Sequence, residues 1–304
     1  MHRAARWSLL LFLLLPAAAS AAPPPAGCDD GPALEARVQA AGPGGSRMAA
    51  AGRPSLALAL ADCLGHPDPA LRDGLAYETL AAWLRADALD PEARRLLRDR
   101  LLGWLAPAEA DAAGFRAPFA ALVLSEVVRT DRISPWLSAA EREALVAAAA
   151  DYVRGLRDYR GFTDGEGWRH GLAHGADLLM QLALNPALDR GQLDRVLAAV
   201  STQVAPVGAP PFVHGEPGRL ARPVLFALQR GLHDEATWTA WLADATAPAP
   251  MADWSEAFGS EAALARRHNA REFLLSLYAG LAESGDEALR ARLPPVAAAL
   301  RAIP

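Results

Sequence analysis

Between residues 163 and 185 the chain reads TDGEGWRHGLAHGADLLMQLALN. This stretch places five chemically capable side chains at helical spacing. At about 100° per residue, Glu166, His170, His174, Asp177 and Gln181 share an arc of roughly 80°, with Trp168, Leu172, Leu178, Leu179 and Leu182 on the other side. Two histidines at i and i+4 project from one face, so both imidazoles could reach one divalent ion. Asp177, one turn on, could be a third ligand or orient His174. The acid of a metalloprotease helix is missing, since Gly171, Leu172 and Ala173 separate the histidines. A fuller ligand set would draw on His214, Glu216 or His268. The plain alternative is a polar helix face, or a buried hydrogen-bonded network between helices. Thr163 with Glu166 also has the spacing of a capping box, which would make Glu166 a capping carboxylate. If the stripe is catalytic, Glu166 or Glu126 is the candidate base; if it binds a ligand, Trp168, Arg169, His214 and Glu216 join His170, His174 and Asp177.

Glu126 stands out because Phe119, Leu122, Val123 and Val127 surround it in sequence. A carboxylate on an apolar helix needs a partner or a raised pKa, and Arg129, Arg219 and Arg222 are the partners expected. No GxSxG elbow occurs, and neither cysteine has a histidine in motif, so serine or cysteine hydrolase chemistry has no support.

The elements that must carry these residues are helical throughout. Apolar residues recur every three or four positions, which predicts helices near 32–41, 46–64, 68–87, 91–106, 115–130, 138–157, 164–184, 189–205, 217–231, 234–244, 258–283 and 286–302. Asp68 with Pro69, Asp90 with Pro91, and the Ser138 and Glu141 capping box mark three of the starts. The fold class is therefore all-α. Stacked helical hairpins forming an irregular α-solenoid are favoured over the alternative, a closed α/α toroid. The Pro- and Gly-rich loop 206–217, PVGAPPFVHGEP, is placed to carry function.

Residues 1–21 have the three-part layout of a signal peptide, with Ala19, Ser20 and Ala21 at a small-x-small cleavage site. The expected division is leader 1–21, first helices 22–64, main helical domain 65–283 and a C-terminal helix 284–304. The apolar run of the leader is too short to span a bilayer, and no later run is long enough. Export, to a periplasmic or extracellular location, makes a disulfide between Cys28 and Cys63 expected; lipidation of Cys28 is the competing reading. All 30 basic residues are arginine, against 35 acids. Loss of Arg3 and Arg6 with the leader takes the formal charge from −5 to −7. Nucleic acid is a poor partner for that balance, and the absence of lysine excludes Schiff-base and phosphate-loop lysines.

Five blocks carry a family resemblance: LRDGLAYETLAAWLRA from Leu71, PFAALVLSEVVRTDRISPWL from Pro118, DYRGFTDGEGWRHGLAHGADLLMQLALNPALD from Asp158, HGEPGRLARPVLFALQRGL from His214 and RHNAREFLLSLY from Arg267. Together they resemble a bacterial family of uncharacterised proteins, domain of unknown function 2785, over roughly residues 65–282. The likeness implies a helical domain with His170, His174 and Asp177 in a recurring pattern, and no substrate. Ala173 to Gly175 is also similar to a motif of lanthionine cyclase barrels, which hold zinc through two cysteines and a histidine. Cys28 and Cys63 lie far from that motif, so only the barrel architecture carries over. The expected function is a scaffold of the cell envelope that binds a peptide or small polar ligand, with a metal-assisted hydrolase as the alternative.

Overall fold

A computed structural model describes residues 28, 31–105, 111 and 113–304. The signal peptide expected at 1–21 lies outside the described residues. The periodic segments form α1 (Gly31–Ala41), α2 (Arg53–Asp62), α3 (Glu78–Arg85), α4 (Pro91–Leu105), α5 (Arg116–Ile133), α6 (Ala139–Gly155), α7 (Gly171–Ala183), α8 (Arg190–Val204), α9 (Glu216–Gln229), α10 (Glu235–Ala245), α11 (Glu261–Ala282), α12 (Glu287–Arg290) and α13 (Leu293–Ala302). A π-helical segment, Ala70–Tyr77, runs straight into α3. The all-α class holds, with one short hairpin of β1 (Phe162–Thr163) and β2 (Gly167–Trp168).

Local chemistry explains most of the boundaries. Ser138 and Glu141 make the reciprocal capping box expected for α6, and Asp189 with Gln192 makes another for α8. Asp90 accepts from the Ala93 N–H at 2.8 Å and so opens α4. The last predicted helix is two, because Pro294 and Pro295 occupy the first turn of α13, where their missing N–H groups cost nothing.

Helices α3, α5, α7, α9 and α11 pack in that order as one row, and α2, α4, α6, α8 and α10 as a second row behind it. The buried apolar residues form one continuous set from Cys28 to Ile303. Helix α7 lies mid-row and is buried on nearly every face; only Met180 and Gln181 are half-buried. Two glycines let it lie against α6. A Cβ on Gly175 would meet Val153 Cγ2 at 2.8 Å, and one on Gly171 would meet the Tyr152 hydroxyl at 3.0 Å.

Cys28 and Cys63 form a disulfide. A sulfur bonded in this way cannot carry a thioether lipid, which corrects the reading of Cys28 as a lipidation site. No helix among the described residues is long and apolar enough to cross a membrane.

Candidate functional site

The helix expected to run from 164 to 184 starts instead at Gly171. Gly165 and Gly167 adopt φ of 80° and 78°, a left-handed conformation open to glycine at little cost. They fold residues 162–168 into the hairpin, with Phe162 paired to Trp168. The Thr163 and Glu166 capping box is therefore absent, and Glu166 is an exposed turn residue whose carboxylate binds Arg169 at 3.0 Å. That separates Glu166 from the stripe to which the 100° count assigns it. Arg169 is turned inward and 4% exposed, donating to the Ala113 carbonyl at 2.7 Å. Fully buried Arg72 donates to the Glu166 carbonyl at 2.8 Å. The two guanidiniums lie 4.2 and 4.0 Å from the Phe115 ring centroid. Arg169 thus anchors the hairpin.

His170 is brought to α7 by this hairpin and not by helical spacing. It is the N-cap residue and is left-handed, with φ of 53°. Its ring stacks on Trp168 with centroids 4.8 Å apart, and contacts His174 at 5.7 Å and His214 at 6.4 Å. His174 in turn meets the Phe119 ring edge-on at 5.3 Å. A chain of rings therefore leads from exposed Phe162 and Trp168 to the interior. Burial, reinforced by the nearby charge of His170 and Arg219, pushes the His174 imidazole down to about 3. It hydrogen-bonds the Pro118 backbone. Proline has no N–H, so the imidazole must be the donor. His174 Nδ1 is buried without a partner, which makes Nε2 the donor and Nδ1 a lone pair. His170 is lowered by burial too, and its Nε2 is likewise buried without a partner.

His214 reaches this cluster because loop 206–217 is pinned from α11. Asn269, with no exposed surface, accepts from the Phe212 N–H at 2.7 Å and donates to the Pro210 carbonyl at 3.0 Å. His268 meets the Phe212 carbonyl at 3.2 Å, so it secures the loop and does not enter the seam. Buried Glu216 accepts from the His214 N–H at 2.8 Å, with its other oxygen 3.6 Å from His214 Nδ1. The opposite face of the His214 ring lies on Gly161, where a Cβ would fall on top of the imidazole.

Asp177, one turn beyond His174, is buried beneath α9. Arg219 binds its Oδ2, and Arg222 Nη1 lies 3.9 Å from Oδ1. Burial raises the Asp177 carboxyl above the usual range despite the pull of both guanidiniums. Glu126 faces Arg85, whose Nε donates to Oε2 at 3.0 Å while Nη2 binds Oε1. This corrects the expected partners Arg129, Arg219 and Arg222. Tyr77 lies close by, its hydroxyl raised by burial and by the charge of Glu126. With Asp177 engaged by Arg219, the three candidate ligands His170, His174 and Asp177 do not assemble as a metal set. Among the described residues no three His, Cys, Asp or Glu side chains are arranged to hold an ion.

Two contributors escaped the sequence reading. Arg85 comes from a helix some 40 residues before Glu126, and Gly161 carries no functional group to notice. A cavity of about 720 Å³ lies behind α7 among Leu102, Trp104, Pro118, Tyr152 and Leu156.

No curated protein and no solved structure matches the chain. A family model does match, over residues 79–279, which include α5, α7, α9, the hairpin and the loop that carries His214. The chain accordingly belongs to the family described as protein of unknown function, DUF2785.

Proposed function

We propose that this chain is an exported protein of the cell envelope that binds a peptide or small polar ligand on the face made by α5, α7, α9, the hairpin and loop 206–217. The observation that carries the reading is the pair of buried imidazole nitrogens without partners, His170 Nε2 and His174 Nδ1. Buried polar groups are nearly always hydrogen-bonded, and exceptions call for a specific explanation. A ligand that donates to them supplies it. Trp168 and His214, whose rings pack with His170, are partly exposed. Export is supported by the Cys28 and Cys63 disulfide, which belongs to an oxidising compartment.

The test is retention of a pool of short random-sequence peptides by the mature, disulfide-bonded protein, beside a His174→Leu variant of equal helical content. The reading expects peptides on the native protein and about tenfold fewer on the variant, the effect of losing one well-formed buried hydrogen bond and stranding its partner. Equal retention by both would remove it. Fractionation of cells carrying the full chain should place it in the envelope with the disulfide formed; a reduced cytoplasmic protein would remove the export half.

A further inference from the structure

We propose that the bound ligand is anchored by a carboxylate set against Arg219 and Arg222, next to an N–H donor on the same ligand, as at a free peptide C-terminus. This inference rests on the ligand-binding reading above and adds the chemistry of what is bound.

This face carries hydrogen-bond donors that the fold leaves unused. A guanidinium offers five N–H groups. Arg219 donates one to Asp177, and Arg222 makes no hydrogen bond among the described residues, coming only to 3.9 Å from the same carboxylate. The two are three residues apart on α9 and so project from one face. Their side chains are 35% and 51% exposed. On α5, across α7 from α9, Arg129 has no hydrogen bond or ion pair among the described residues, and Arg132 donates only to the neutral Gln181 oxygen, at 3.2 Å. The carboxylates that α5, α7 and α9 bring to this face are Asp177, shared as described, Glu126, held through both oxygens by Arg85, and Glu216, engaged with His214. Five arginines thus face three acids, in a chain whose overall charge is −5. Such a surplus attracts an anion, and the planar fork of arginine matches a carboxylate through two parallel hydrogen bonds.

The neighbouring imidazoles decide which anion. His170 and His174 are held neutral, and each presents a buried nitrogen without a partner, Nε2 and Nδ1 respectively. Arg219 lies close enough for its charge to act on both rings. A phosphomonoester dianion presents only acceptors and would turn oxygens toward these lone pairs and toward Asp177. A peptide end presents a carboxylate and, one bond from its last Cα, an amide N–H. The guanidiniums fit the first and an imidazole nitrogen fits the second.

The experiment uses the mature, disulfide-bonded protein and short random-sequence peptides, N-acetylated, as free acids and as C-terminal carboxamides in equal amounts. Retained peptides are identified by mass spectrometry for the native protein and for Arg222→Gln, chosen because Arg222 is exposed and makes no hydrogen bond that the fold needs. Free acids should be enriched about tenfold or more over carboxamides, the effect of one charge-assisted hydrogen-bond pair. That preference should vanish in Arg222→Gln, and excess acetate should release the acids better than inorganic phosphate at the same concentration. Equal retention of acids and carboxamides would overturn the carboxylate anchor and leave the binding reading standing. Stronger release by phosphate would overturn it in favour of an oxyanion site. Retention of neither form would sink both readings together.

Discussion

His174 should make the protein acid-sensitive in a way that one substitution abolishes. In the unfolded chain its imidazole titrates near 6.5, and in the folded protein near 3, because burial, His170, Arg219 and Arg72 all disfavour its charge. The hydrogen bond to Pro118 opposes them only in part, and the adjacent Phe119 ring adds no charge. The sign follows from proton counting. Above pH 6.5 both states hold a neutral ring and nothing is lost. As pH falls, the unfolded state takes up the proton first, so folding stability declines steadily until the folded ring also titrates near pH 3. Between pH 7 and pH 5 the loss from this one group is about 2 kcal/mol. His170 is lowered as well and adds a loss of the same sign. Urea unfolding at the two pH values, for the native protein and His174→Gln, isolates the contribution, since every other titrating group is common to both. The native protein should lose about 2 kcal/mol more than the variant over this interval. Equal losses would refute the argument that His174 is held neutral by burial.

Three further outcomes follow from the packing. Gly161→Ala should displace the His214 ring and cost about 1–3 kcal/mol as an overpacked contact, read by chemical denaturation; an unchanged midpoint would show that the ring is free to move aside. Replacing Cys28 and Cys63 together with serine should cost on the order of 4 kcal/mol, from a closed loop with a sequence separation of 35, and a loss below about 1 kcal/mol would show that the first helices are ordered without it. Asn269→Ala should cost about 2 kcal/mol and speed amide exchange at Phe212, whose N–H loses its acceptor. Unchanged exchange there would mean that the loop is held by other contacts.

The helices were legible because their burial has a period and their ends carry capping chemistry, as at Ser138 and Glu141. The hairpin is invisible to a periodic count for a physical reason. A helical count at 100° per residue passes through glycines without registering them, yet Gly165 and Gly167 both take a left-handed φ that ends any helix. Turn chemistry in DGEG should have outranked periodicity there. His170 and His174 do meet, as the spacing suggests, but His170 does so as the left-handed N-cap residue at the end of the hairpin and not as a turn of helix. That His214 joins them depends on Asn269 and His268, more than 50 residues further along the chain. The pairing of Glu126 with Arg85 likewise depends on which helices become neighbours, and single-helix patterns do not encode that.

Gly171 and Gly175 have a consequence beyond letting two helices touch. The gap between α6 and α7 fixes how far His174 and Asp177 stand from Arg219 across the face, so its spacing is set from the rear by two residues that lack side chains. A methyl group added at Gly175 would press on Val153 and drive α7 toward α9. On the proposed reading, the selectivity of this face is adjustable at positions no ligand reaches, and a search for altered recognition would do well to begin on the side of α7 facing away from the ligand.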